Sequence, residues 1–309
     1  MNEKRKTTVA GMFYEHNASR LEEQIQDCFT HDIGPGSLPK EKDTDQHLIG
    51  VIVPHAGLAC SGPFAAHSFF QLAKHGLPDT CILIGPNHSG MGPAVAVDSS
   101  GEWETPLGPL PIDEDIAEQL VSSKVITADA ATLHQQENSL EVQLPFIKYL
   151  SNNLQKTCFI VPIVMAQQEL QKSQQIGEQL ASVFENESKR IAIIASSDFS
   201  HEGYSYGRFP PSGLTADQFA RKQDQYALEA IQQKNPQKLY ESIQKHGISM
   251  CGYGPVISLL TVAQKHPDSV VELLKYGTSY DTCSDSNTCV GYGALAVKKT
   301  KGTMNNYES

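Results

Sequence analysis

Short runs of β-branched and other apolar residues recur along the chain, at 48–53, 81–84, 94–97, 158–164, 191–195, 270–276 and 289–297. Their apolar positions are continuous rather than alternating, which predicts strands mostly buried on both faces. Between them the apolar spacing becomes helical, over 18–30, 62–75, 113–122, 138–150, 168–184, 215–233, 235–245 and 254–264. Ser, Asp or Thr opens several of these as candidate caps. Strands alternating with helices predict an α/β fold, a single domain with a central, mostly parallel sheet flanked by helices. No repeat or low-complexity segment interrupts the pattern. The polar stretches 31–47 and 203–214 read as surface loops rather than domain boundaries. The domain is therefore taken as 1–309, with flexible tails expected at 1–7 and 302–309.

Composition narrows the function. The chain carries 24 basic and 35 acidic residues, a formal charge of −11. Its one short basic cluster, Lys4-Arg5-Lys6, lies at the expected exposed amino end. A nucleic-acid surface needs clustered cations to displace counterions, so none is expected. Seven cysteines occur without any CxxC pair, which argues for free thiols in a reducing compartment over a disulfide framework. Cys283 and Cys289 are close enough in sequence to bridge or to share a metal, but they lack histidine partners and read as structural. The amino end lacks an apolar signal core, and no segment approaches the ~18 apolar residues of a membrane span. A cytoplasmic, membrane-free protein is expected.

The chemistry concentrates where strands end. Val53-Pro54-His55-Ala56-Gly57, Ile84-Gly85-Pro86-Asn87-His88-Ser89-Gly90 and Ala195-Ser196-Ser197-Asp198-Phe199-Ser200-His201 each place a histidine in a loop of small residues after a buried strand. In an open parallel sheet such loops converge outside the carboxyl ends of the strands. A fourth loop, Ser249-Met250-Cys251-Gly252-Tyr253-Gly254-Pro255, adds a thiol before a helix. Imidazole and thiolate together suit iron, zinc or copper rather than calcium or magnesium. A lone strand-end histidine more often bonds a backbone carbonyl, and a lone cysteine is usually a small core residue. It is the threefold recurrence of one context that favours a shared site.

Asp198 beside His201 could orient that imidazole for acid–base work, or Ser196, Ser197 and Asp198 could cap the turn. The loop Trp103-Glu104-Thr105-Pro106-Leu107-Gly108 offers a pocket wall or partner surface, or else a turn packed on the core. Glu137 and Glu141 share a helical face and could present a carboxylate to the pocket, or could serve as caps or solvated residues. Asn87, Trp103 and Glu141 are thus the candidates for touching a substrate. No P-loop, dinucleotide fingerprint or GxSxG elbow occurs, so no nucleotide is expected.

Taken in order, Ala10-Gly11-Met12-Phe13-Tyr14, the PHAG loop with Ser61-Gly62, GPNH, ETPLG, the segment Glu137–Pro145, SSDFSH, the Cys-Gly loop and Val290-Gly291-Tyr292-Gly293 resemble the Memo family across almost the whole chain. The resemblance implies a fold like that of class III extradiol dioxygenases, which are non-haem iron enzymes. It also implies a metal set of His55, His88 and Cys251, with His201 matching those enzymes' acid–base histidine and Asp198 beside it. Fe(II) is the first metal it suggests, with copper or zinc as alternatives. Family members have been discussed as iron or copper binders and as phosphopeptide-binding proteins. In microbes they are grouped with radical-SAM and AMMECR-type proteins as the AmmeMemoRadiSam system, which makes those two types the expected protein partners.

The chain departs from the family pattern at Asn138, where histidine is usual, at Leu58 and Cys60, where aromatics are common, and at Tyr280, which replaces a glycine. The reading that follows is a dioxygenase-like metalloprotein acting on an unidentified small molecule. The alternatives are a non-catalytic module that binds a peptide or protein in the same cleft, and a protein that stores or delivers iron or copper.

Overall fold

In the computed structural model, which describes residues 4–40, 47–134 and 137–299, four strands make the centre. His47–Val53, Ile191–Ser196, Thr80–Pro86 and Phe159–Met165 lie side by side in that order, all parallel. Every position of Thr80–Pro86 is buried, as continuous apolar runs covered on both faces require.

Each wing joins the centre through an antiparallel pairing. On one side Thr288–Lys299 pairs with His47–Val53 and also with Ser269–Thr278 and His201–Gly203; on the other, Val95–Val97 runs against Phe159–Met165. Short connections explain this. The links 87–94 and 279–287 turn the chain back without a long crossover, so Val95–Val97 runs opposite to Thr80–Pro86 and Thr288–Lys299 opposite to Ser269–Thr278. The sheet is thus parallel at its centre and mixed overall.

Helices cover the central strands in two groups. Ala18–Thr30, Leu58–Lys74 and Leu144–Asn153 pack together, as do Leu170–Asn186, Pro236–His246 and Tyr253–Gln264. Ala18–Thr30 shows why the sequence folds locally as it does. Asn17 caps it by accepting from the Arg20 amide, and Leu21, Ile25, Cys28 and Phe29 are buried at helical spacing.

Three expectations change. The helix expected over 138–150 divides into Asn138–Glu141 and Leu144–Asn153. Pro145 lacks an amide hydrogen and belongs in a first turn, so a new helix begins there.

Of the tail expected at 1–7, the described residues 4–7 are not a free tail, and residues 1–3 lie outside the described residues. Lys4–Arg5 is a strand paired with Glu102–Trp103, and Arg5 is 1% exposed. Its guanidinium lies 4.1 Å from the centroid of the Trp103 ring and donates to Glu141 and to the carbonyls of Leu133 and Glu137. Residues 302–309 lie outside the described residues.

Cys60 and Cys283 form a disulfide across a sequence separation of 223, so the cysteines are not all free thiols. The bond joins the first turn of Leu58–Lys74 to the short helix Ser279–Cys283, a pairing that no local spacing announces. Cys28, Cys81, Cys158 and Cys289 are buried thiols.

The stretch 203–214 is a largely exposed loop, as expected, apart from a short turn at Tyr204–Tyr206. Among the described residues no helix is long and apolar enough to cross a membrane.

Candidate metal centre

The register of the sheet sets the site. Val53 and Ser196 are partners on adjacent parallel strands, so the loops after them leave the sheet together. His55 is buried there. Its Nδ1 lies 2.9 Å from Ser196 Oγ, and its amide donates to Asp198 Oδ1 at 2.7 Å. Burial pushes the imidazole down to about 4, against the opposing charge of Asp198, so the ring is neutral at physiological pH.

His88 follows the next strand and is partly exposed. Its Nδ1 lies 3.0 Å from Glu137 Oε1, and its amide donates to Glu137 Oε2 at 2.7 Å. Burial acts to lower this imidazole, but the hydrogen bond and charge of Glu137 outweigh it and leave the ring raised. The pair works the other way on Glu137, where burial is overcome by His88 and the carboxyl is lowered.

Cys251 arrives from the far side, just before Tyr253–Gln264. Its Sγ is 3.3 Å from His55 Nε2 and 3.6 Å from the carbonyl of Asp198. Burial and then the Asp198 charge push the thiol far above its ordinary range. Gly252 permits the approach: a Cβ there would sit against Ser196 O and 2.6 Å from Ser197 Cβ. Gly85 does the same for the turn that carries Glu137, since its Cβ would lie 2.6 Å from Ser139 Oγ.

One ligand atom each from His55, His88 and Cys251 lies within 4.8 Å of the others, the one such cluster found among the described residues. Two imidazoles and a thiol fit a borderline-soft transition ion. The three residues that the family resemblance implied as a metal set therefore meet.

The other candidates separate. Asp198 is buried and turns to His55, with Oδ2 4.0 Å from Nε2, whereas His201 is held by Ser249: its Nδ1 lies 3.0 Å from the Ser249 carbonyl and its amide donates to Ser249 Oγ. The expected orienting role of Asp198 toward His201 is replaced by that carbonyl. His201 still lies close enough for its charge to act on His55, and its ring meets Tyr206 edge to face at 5.0 Å between centroids.

Asn87 is occupied with its own loop, accepting from Ser89 and Gly90 and donating to the Met91 carbonyl. Trp103 is fully buried, donating to Asp98, and so presents no wall to a ligand. Glu141 is also fully buried, and its oxygens accept from Arg5, Thr8, Val9 and Tyr14. The pocket carboxylate of the Glu137/Glu141 pair is thus Glu137.

Sequence reasoning did not single out Ser139, Gln143 or Ser196 for a role at the centre. Gln143 gave a faint signal, an uncharged polar residue inside an apolar helical run.

A family model described as Memo-like protein matches residues 5–296. Three archaeal proteins described as MEMO1 family proteins are similar over nearly their whole lengths. One from Methanobrevibacter smithii is 39% identical over 297 residues, covering 95% of this chain and 99% of its own. One from Methanopyrus kandleri is 38% identical over 295 residues, covering 96% and 99%. One from Saccharolobus islandicus is 41% identical over 294 residues, covering 94% and 97%. A crystal structure of an uncharacterized protein from Escherichia coli K12 superposes with a TM-score of 0.55 at 13% identity, over 82% of this chain and 100% of the other. That likeness is one of fold.

Proposed function

Because the chain belongs to the Memo-like protein family, we propose that it is a metalloprotein of dioxygenase-like chemistry, holding Fe(II) through His55, His88 and Cys251 and acting on a small molecule beside them. The observation that carries this reading is the convergence of two imidazoles and a thiol within 4.8 Å. Copper and zinc suit the same donors. When bound, Fe(II) would supply the redox capacity for oxygen chemistry.

The chain's own residues supply the rest. His201 donates from Nδ1 to the Ser249 carbonyl, which leaves Nε2 as the acceptor nitrogen that takes a substrate proton. Asp198 lies between the His55 amide and the Cys251 loop, and its negative charge favours cationic metal and protonated intermediates of substrate. The site lies among loops at the strand ends of a protein whose surroundings are the cytoplasm in this reading.

The test is anaerobic metal analysis of the protein beside a His55→Ala/His88→Ala/Cys251→Ala variant, followed by oxygen uptake with a panel of catechols. Stoichiometric iron that is lost in the variant, together with uptake, supports the reading. Metal without uptake favours storage or delivery of the ion. Equal metal in both proteins removes the assignment.

A binding-module reading keeps one observation in its favour, the exposed aromatics Tyr204, Tyr206 and Phe209 adjoining His201. Peptide affinity that survives metal removal and falls on Tyr204→Ser/Phe209→Ser substitution would support it.

A further inference from the structure

We propose that the turn from Glu137 to Gln143 is a single orientation clamp that sets both histidines, so that each ring carries its proton on Nδ1 and presents Nε2 to the point that Cys251 faces. The proposal rests on the metal-site reading and concerns residues that hold the ligands rather than the ligands themselves.

Ser196 Oγ has one proton, and it goes to the Ser139 carbonyl at 2.6 Å. Gln143 Nε2 donates to the same Oγ at 3.0 Å and to the Pro54 carbonyl at 3.1 Å. Flipping the Gln143 amide would set its oxygen against the Pro54 carbonyl, so the donor assignment stands. With its proton spent, Ser196 Oγ can only accept from the remaining neighbour, His55 Nδ1 at 2.9 Å. His55 therefore keeps an acceptor lone pair on Nε2, the atom that faces Cys251.

The same turn fixes His88. Glu137 accepts from His88 Nδ1, from the His88 amide and from the Ser139 amide. An ionised carboxylate offers no proton, so His88 also carries its hydrogen on Nδ1. Ser139 completes the link by donating from Oγ to the Pro86 carbonyl, just before the His88 loop. One element thus reaches both ligands, Glu137 directly and Ser139 with Gln143 through Ser196. Groups that orient a ligating imidazole typically matter about 10- to 100-fold in metal affinity.

The test uses the full chain with Co(II) as probe, following the thiolate-to-cobalt absorption, and long-range nitrogen–proton NMR of the histidine rings without metal. Wild type should show Nδ1–H on both His55 and His88. Ser196→Ala and Glu137→Gln should each weaken Co(II) binding about 10- to 100-fold while keeping the wild-type circular dichroism and melting cooperativity. Ser196→Thr, which restores a hydroxyl, should recover most of the loss. Combining S196A with E137Q should cost less than the product of the two single effects, because both loosen one element.

Wild-type affinity in both single variants, or an Nδ1 without its proton on either ring of the metal-free protein, overturns the clamp. Failure of the wild type to bind Co(II) overturns the metal reading instead, and the NMR spectrum still decides the clamp.

Discussion

Cys251 Sγ lies 3.3 Å from His55 Nε2, although 196 positions separate them in the chain. Burial raises the thiol and lowers the imidazole, so without metal the two form a neutral hydrogen-bonded pair. A thiolate ligand must then lose its proton as metal enters. Loading with Zn(II) or Co(II) should release about one proton per ion, read with a pH indicator in weakly buffered solution. Cys251→Ser should weaken binding and abolish the thiolate absorption of the cobalt form. Binding of normal strength without proton release would show that sulfur is not a ligand.

Deleting residues 1–6 should be costly. Arg5 and Glu141 are 1% and 0% exposed and 2.7 Å apart, and removing one partner of a buried pair costs about 3–5 kcal/mol. Urea unfolding should show a loss of that size, and Glu141→Gln a loss in the same direction. A change within about 0.5 kcal/mol, as expected for a surface tail, would contradict the structural role of Arg5.

Asp224 should make stability fall as pH rises. Its carboxyl is fully buried, and burial pushes it up to about 7 from an ordinary 3.8, against hydrogen bonds from Ser200 and Tyr276 and with Glu202 adding to the rise. The folded state then holds the proton more tightly than the unfolded state. Stability is fully present below about 4, declines from there to about 7 and is level above. The change should be on the order of a few kcal/mol. Asp224→Asn should flatten this part of the profile in chemical denaturation at about pH 5 and about pH 8; an unchanged slope would assign it to other groups.

Gly85→Ala should push the Glu137 turn outward. The added carbon meets Ser139 Oγ at 2.6 Å and Leu140 Cδ2 at 2.8 Å, and overpacking of this kind costs about 1–3 kcal/mol. Metal affinity should fall with stability. Loss of stability without loss of affinity would separate the packing from the site.

The sequence revealed what periodicity encodes. The predicted strand and helix segments are present because runs such as Thr80–Pro86 are buried throughout and helices such as Ala18–Thr30 bury one stripe. The direction of the wing strands was hidden because pairing depends on the length of the connection. Arg5 was misread because a cation at a chain end has no pattern, and its partners Leu133 and Glu141 stand 128 and 136 positions away. Of the three residues that cluster, His55 and His88 were legible through the repeated strand-end loops, whereas Cys251, in a loop before a helix, was joined to them by the family resemblance. Their anchors were not legible, since Ser196 and Gln143 belong to no motif until the loops meet. Asp198 and His201 are close in sequence, but each found another partner, the former at the His55 amide and the latter at Ser249.

The pairing of Thr288–Lys299 with both His47–Val53 and His201–Gly203 bears on the order of events during synthesis. A chain emerging from the ribosome exposes His55 and His88 long before Cys251, and Thr288–Lys299, which pairs with His47–Val53, emerges later still. Such pairing across nearly the whole chain must wait for its late partner. A nascent chain halted before residue 251 holds two imidazoles and no thiol. The complete donor set thus arises only after residue 251 has emerged, and an ion bound by all three donors enters late in the folding of this domain rather than guiding its start.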